Sequence, residues 1–116
     1  MRITSELWVS ALMRRAFSAG GFAAVERRGS TEAGAIFVIS RTRDGELTLF
    51  GPAPQATYED TRPHERLFAE LVRASDPEAV SKKIASEERF DPDLWVVELE
   101  IEDPQLLAEL VPVRTP

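Results

Sequence analysis

The run "AGAIFVI", residues 33–39, is the feature that most constrains how this chain can fold. Every residue from 35 to 39 is apolar, and aromatic and β-branched side chains favour a strand. In a strand, Ala35, Phe37 and Ile39 face one side, and Ile36 and Val38 face the other. A strand that is apolar on both faces needs cover on both. The next strand repeats the pattern, with Leu47 and Leu49 on one side and Phe50 on the other.

Two further segments read as strands close to this run, namely "FAAVERR" (22–28) and "ELTLFG" (46–51). Asp44-Gly45 precedes the second of them and is a strong signal for a two-residue hairpin turn. "GSTE" stands between residues 28 and 33 and reads as the other turn. We therefore expect the three strands to form an antiparallel meander.

The rest of the chain alternates helix and strand signals. "SELWVSALMRRAFSAGG" reads as a helix that Thr4 or Ser5 caps, and "DPEAVSKKIASEERF" reads as a second one with Asp76 as N-cap and Pro77 in its first position. "LWVVELEIE" (94–102) has the clearest strand alternation in the chain. "PQLLAELV" has the composition of a short C-terminal helix. "ERLFAELVRA" (65–74) fits either type, and we interpret it as a strand.

These elements predict an α+β domain over residues 1–116. It has one mostly antiparallel sheet of four or five strands, with two main helices packed on one face. Two helices cannot cover both faces of such a sheet, so one apolar face is left to the C-terminal segment or to a second copy. Because an exposed apolar patch is uncommon on monomers, we expect a homodimer.

The composition narrows the classes of function. The 116 residues include no Cys and one His, which excludes disulfides, cysteine nucleophiles, thiolate metal sites and most histidine-based metal clusters. Residues 1–58 carry seven basic and five acidic residues (+2), whereas residues 59–116 carry seven basic and fifteen acidic ones (−8). The net charge of −6 disfavours a nucleic-acid partner. No apolar run is long enough to span a membrane, and the charge order around "LWVSALM" does not fit a signal peptide. We expect a cytoplasmic protein.

Gly29 and Gly34 have the spacing of the glycines in a phosphate-binding P-loop. That motif needs a Lys and a hydroxyl residue after the second glycine, followed by a helix. Here Ala35 and Ile36 follow Gly34 and continue into a strand. We interpret "GSTE" as a turn that the two glycines flank.

Four arginines form the candidate anion-binding set. Arg14 and Arg15 lie near the end of the first helix, just before the strand that begins at Phe22, and Arg41 and Arg43 lie at the corresponding end of the next strand. All four are expected at one edge of the sheet. Arg27 and Arg28 lie at the opposite end, about 26 Å away at about 3.3 Å per residue. The alternative is that the four are solvated surface charges, with Arg14 and Arg15 favoured at a helix C-terminus.

The remaining candidates favour structural roles. Asp91 and Asp93 have oxygen ligands for Mg²⁺ or Ca²⁺, but Asp91-Pro92-Asp93 is ordinary turn chemistry and no third ligand stands near them in sequence. Trp95 heads an apolar strand face and is expected in the core. His64 and Tyr58 lie in a proline-rich loop without a nucleophile at a motif spacing. We therefore assign no catalytic residue, metal or cofactor.

Four segments, "WVSALMRRAFSAGGFAAVERRG", "EAGAIFV", "LFGPAPQ" and "RFDPDLWVVELE", resemble an uncharacterised family of short bacterial proteins, domain of unknown function 1491. The resemblance covers residues 5 to about 102. It implies a small cytoplasmic bacterial protein and carries over no activity and no functional residue. We expect a non-enzymatic binding or interaction module that self-associates or docks a partner. The alternative is a small enzyme or sensor for an anionic metabolite at the arginine edge.

Overall fold

The computed structural model describes residues 3–54 and 66–114, which form three helices and one five-stranded sheet. In chain order the elements are α1 (Ser5–Ser18), β1 (Phe22–Arg27), β2 (Ile36–Arg41), β3 (Leu47–Pro52), β4 (Phe68–Ala74), α2 (Pro77–Glu88), β5 (Trp95–Glu100) and α3 (Pro104–Leu110). The α+β class is confirmed, and β4 confirms the strand interpretation of the segment "ERLFAELVRA" for residues 68–74. The short C-terminal helix is also present.

Each helix begins at a side chain that caps it. Thr4 is the N-cap of α1, and its hydroxyl accepts the N–H of Leu7 at 3.2 Å. Ser5 is buried instead and donates its hydroxyl to the carbonyl of Gly34 at 2.6 Å. Asp76 caps α2 by accepting the N–H of Glu78 at 2.9 Å, with Pro77 in the first position as expected. The caps fix where the helices leave the sheet.

The strand order is β1-β5-β2-β3-β4, so the predicted meander is only partly correct. β2, β3 and β4 do form consecutive antiparallel pairs. β1, however, does not touch β2, because β5 lies between them, antiparallel to β1 and parallel to β2. On β5, the residues facing α1 are buried, and on the other face Val96 is buried while Glu98 and Glu100 are half-buried, which suits a central strand. The sheet is therefore mixed, with one parallel pair.

The connection from β1 to β2 is consequently not a hairpin turn. It crosses the start of β5, where the N–H of Ser30 donates to the carbonyl of Asp93 at 2.9 Å. A Cβ atom at either Gly29 or Gly34 would overlap that same carbonyl oxygen. The two glycines thus allow the connection to lie directly on β5, and the interpretation of them as flanking a hairpin turn was wrong.

The hairpin between β2 and β3 has one more residue in its loop than expected. The N–H of Gly45 donates to Thr42, and Thr42 also pairs with Glu46, which leaves three residues between them. Gly45 has a φ of 87°, whereas Asp44 is not in the left-handed region. This fits a turn followed by a left-handed glycine, and it excludes the two-residue type I′ turn, in which both residues need positive φ.

The helices cover both faces of the sheet, which corrects the prediction that they share one. On one face, α1 and α3 pack on a cluster that includes Ile36, Val38, Trp95 and Val97. On the other, Val80 and Ile84 of α2 pack on a cluster of residues with the opposite parity: Phe37, Ile39, Leu47, Leu49, Leu94 and Val96. The alternation predicted for β2 and β3 is confirmed. The apolar face that required a second copy is covered by the chain itself.

Candidate functional site

Arg41 is the last residue of β2 and is held by a carboxylate of the neighbouring strand. Its Nε and Nη2 donate to the two oxygens of Glu98 at 3.3 and 3.2 Å, a bidentate geometry. Ile39 is in register with Glu98, so both side chains lie on the α2 face. Glu98 and the nearby Glu26 and Glu100 raise the pKa of Arg41. The charge of this arginine is therefore largely neutralised within the protein.

Arg43 lies in the hairpin loop and pairs with Glu102, which follows β5. Arg41 and Arg43 line one open cavity of about 700 Å³ at this end of the sheet. The same cavity is lined by Phe22 and by three carboxylates: Glu100, Glu102 and Asp103. Two guanidinium groups against three carboxylates give the lining a net charge of −1, which does not favour an anionic ligand.

Arg14 and Arg15 are exposed on α1 and do not line this cavity. The structure thus brings two of the four candidate arginines together and leaves two on the helix surface. Within residues 3–54 and 66–114, neither Arg14 nor Arg15 pairs with a carboxylate. The assignment of these arginines to an anion site stays a prediction.

A second, smaller cleft of about 230 Å³ lies where α2 leaves the β1 side of the sheet uncovered. Its floor is apolar, and its rim carries Glu26, Glu98 and Arg41. Partial burial raises the pKa of Glu26, and the charge of Glu98 raises it further, while Arg41 opposes both. In the described part of the chain no Lys or Arg forms an ion pair with Glu26. Glu26 is the carboxylate of this cleft whose charge is least compensated.

β1 forms one edge of the sheet and exposes apolar side chains there. Phe22 is 45% exposed and Val25 38% exposed. Phe17, at the end of α1, is 50% exposed, and its ring meets that of Phe22 edge to face, with centroids 6.1 Å apart. Sequence reasoning missed this site because it placed β1 beside β2. The short apolar run "FAAV" ending in charged residues was the available signal for an edge strand.

The two edge strands of the sheet, β4 and β1, differ in whether another segment of the chain pairs with them. At β4, the C-terminal segment closes the beginning of the strand: Phe68 donates to Pro112, and Arg114 donates to Phe68, both at 2.8 Å. No described residue pairs with the outer side of β1. Its register with β5 is regular from Phe22 to Val25 and is then interrupted by a bulge between Val25 and Arg27. We refer to the regular part, Phe22–Val25, as the β1 edge.

The other sequence candidates have structural roles or lie outside the described residues. Asp91 accepts the N–H of Asp93 at 3.0 Å, which is the expected turn. No group of three His, Asp or Glu residues that could hold a metal ion occurs in the part of the chain that the structure describes. Trp95 is 1% exposed and lies in the core, as predicted. His64 and Tyr58 fall within residues 55–65, which are not described.

A model of the family "Protein of unknown function (DUF1491)" matches residues 3–109 of the chain. The chain belongs to this family. The resemblance carried by its sequence segments is thus confirmed. No match is found among curated proteins.

Solved structures of similar proteins share this fold. One is the solution structure of an A. tumefaciens protein, 45% identical, with a TM-score of 0.82 over 100% of this chain and 98% of that one. The crystal structure of a DUF1491 family protein from Caulobacter crescentus CB15 is 35% identical, with a TM-score of 0.75 over 99% and 100%. An NMR structure of a family member from the same organism is 33% identical, with a TM-score of 0.76 over 99% of each chain.

Membership of DUF1491 supports the assignment of the fold. The role of the site has to be inferred from its geometry. Neither the family description nor the three relatives name a ligand or a reaction. In this DUF1491 chain, none of the helices within residues 3–54 and 66–114 is long and apolar enough to cross a membrane.

Proposed function

We propose that the chain is a non-enzymatic interaction module of the cytoplasm that docks a protein partner at the β1 edge. One observation carries the proposal: an edge strand without a described neighbour coincides with the exposed apolar side chains of Phe17, Phe22 and Val25. Protein surfaces that bind other proteins place aromatic anchors at their centre. Self-association at the same edge is the second form of this proposal.

The experiment is affinity capture from the source organism with three matched baits. Phe22→Ser removes the aromatic anchor of the β1 edge, and Phe90→Ser removes a phenylalanine that is 84% exposed at the end of α2. Thermal unfolding first establishes that both variants fold. We expect one set of proteins to be retained by the wild type and by Phe90→Ser and to be lost with Phe22→Ser. Identical capture by all three baits would contradict the proposal.

A small enzyme or sensor for an anionic metabolite is the second candidate. It is favoured by the convergence of Arg41 and Arg43 on a cavity of about 700 Å³, a size common for small-molecule sites. The three carboxylates of the lining weigh against it. A thermal-shift screen of phosphorylated metabolites and nucleotides separates the two functions. A stabilisation that Arg43→Gln removes would support the metabolite site.

A further inference from the structure

The β1 edge is suited to accept another strand. A strand at the edge of a sheet presents unpaired N–H and C=O groups, which can hydrogen-bond to an extended peptide. Phe22, Ala23, Ala24 and Val25 carry none of the charges or prolines that usually protect an edge. The bulge after Val25 ends the regular register. At about 3.3 Å per residue, the usable edge is about 13 Å long and fits about four residues.

The two faces of the β1 edge differ in chemistry. Ala23 and Val25 are in register with Leu99 and Val97 and lie on the α1 face, which is apolar. Phe22 and Ala24 are in register with Glu100 and Glu98 and lie on the α2 face.

The α2 face beside the edge is acidic. Glu100 and Glu98 lie on this face opposite Phe22 and Ala24, and Glu26 lines the same cleft as Glu98 and Arg41. Glu98 is already bound to Arg41, whereas Glu26 has no cationic partner among the described residues. A Lys or Arg arriving on this face would compensate the charge of Glu26.

We propose that the β1 edge binds a short extended segment of a partner protein as a sixth strand. This segment carries Lys or Arg on the α2 face and apolar side chains on the α1 face. The inference rests on the docking role proposed above and names the chemistry of the partner.

A second copy of the chain does not provide the basic segment that the β1 edge is proposed to bind. In an antiparallel pair, residues opposite each other lie on the same face. Two β1 strands paired in this way would bring Phe22, Ala24 and Glu26 of each copy to the α2 face. The second copy therefore adds another Glu26 carboxylate to that face, while its Arg27 is already bound to Glu88 and to two backbone carbonyls of its own chain. Like charges brought opposite each other on neighbouring strands are destabilising.

The test is a titration of the ¹⁵N-labelled chain, followed by NMR. The probe is the blocked hexapeptide Val-Lys-Val-Lys-Val-Lys, and its control has Glu in place of each Lys. We expect the lysine peptide to shift the amide signals of Phe22 to Val25 and to leave β4 unchanged. The glutamate peptide should have no effect at the same concentration.

Two variants connect the binding to the named residues. Glu26→Gln should weaken the lysine peptide about 2- to 5-fold, the range of a partly exposed ion pair. Val25→Lys places a charge on the apolar face and should abolish binding. Absence of shifts at millimolar peptide, shifts at β4 instead, or equal shifts with both peptides would overturn the proposal. If capture depends on Phe22 but neither peptide binds, the docking role stands and strand addition is wrong.

Discussion

At the scale of single residues, Trp95 links three parts of the molecule. Its ring is 1% exposed in the cluster beneath α1, and its Nε1–H donates to the carbonyl of Ser30 at 2.7 Å. The guanidinium of Arg28 lies 5.1 Å from the ring centroid. The burial was predictable, because Trp95 heads a cleanly alternating strand. The hydrogen bond was not, because it depends on the crossing of β5 by the β1–β2 connection.

We expect Trp95→Ala to lower the free energy of unfolding by about 3–5 kcal/mol, as is usual when a buried aromatic side chain is truncated. Trp95→Phe keeps an aromatic ring but leaves the Ser30 carbonyl without this donor, so it should cost less, about 1–3 kcal/mol. Urea denaturation followed by circular dichroism measures both. A fully stable Trp95→Ala variant would contradict the packing role.

The raised pKa of Glu26 makes the stability of the fold depend on pH in a direction that can be predicted. Burial and the charge of Glu98 raise its pKa in the folded state, and Arg41 only partly opposes this. The folded chain then holds the Glu26 proton more tightly than the unfolded chain, so this residue's contribution to stability falls as the pH rises through the raised pKa. The other charged groups on the same cleft are Arg27 and Glu88.

Glu26→Gln should therefore raise the melting temperature at pH 7. The gain should shrink towards zero below about pH 4, where even a Glu with its ordinary pKa of about 4.3 is mostly protonated. Because Glu26 is exposed to solvent, the gain will be small. Glu109→Gln, at an exposed position of α3, is the control. A lower melting temperature of Glu26→Gln at pH 7 would show that the charge of Glu26 stabilises the fold, contrary to this prediction.

At the scale of elements, signals within a few residues of the sequence predicted the helices but did not predict which strands pair in the sheet. The N-cap Asp76 acts within two residues, so the sequence alone identified it, and Asp103 caps α3 in the same way. The pairing of β1 with β5 joins residues more than seventy positions apart, such as Phe22 and Glu100. No turn signal records a contact of this kind. The segment around "GSTE" resembled a hairpin turn because Gly29 and Gly34 allow close packing on β5.

The cap of α2 provides a test at this scale. Asp76→Ala removes the acceptor of the Glu78 N–H and should cost about 1 kcal/mol. Ser75→Ala, at the exposed position just before it, should be close to neutral. Thermal unfolding of the two variants side by side measures the difference. Equal melting temperatures would show that the cap does not contribute.

At the scale of the whole molecule, the sequence predicted that both faces of the sheet are apolar, but it did not predict which helices cover each face. The alternation of Phe37 and Val38 places one side chain in each cluster, as expected. Which face α2 takes depends on the path of the chain between β4 and β5, and helix periodicity does not encode that path. Of the four candidate arginines, Arg41 and Arg43 line one cavity, whereas Arg14 and Arg15 are exposed on α1. The ion pair of Arg41 with Glu98 was not predictable, because it depends on β5 lying beside β2.

The homodimer was predicted because one apolar face of the sheet was expected to lack cover. Both faces are covered by helices of the same chain, so that reason no longer holds. We expect the chain alone to be monomeric, with a mass near 12.9 kDa across the micromolar range. Light scattering coupled to size exclusion measures this. A stable dimer that Val25→Lys dissociates would instead support self-association at the β1 edge.

The proposed docking site requires the β1 edge to be open in the free chain. Amide hydrogen exchange measured by NMR tests this residue by residue. Successive amides of an edge strand point alternately towards its neighbour and towards solvent, so we predict alternating slow and fast exchange from Phe22 to Val25. The amides of β2 should be uniformly slow, because β2 is paired on both sides. Uniformly slow exchange along Phe22–Val25 would show that the edge is already covered and would contradict the proposed docking site.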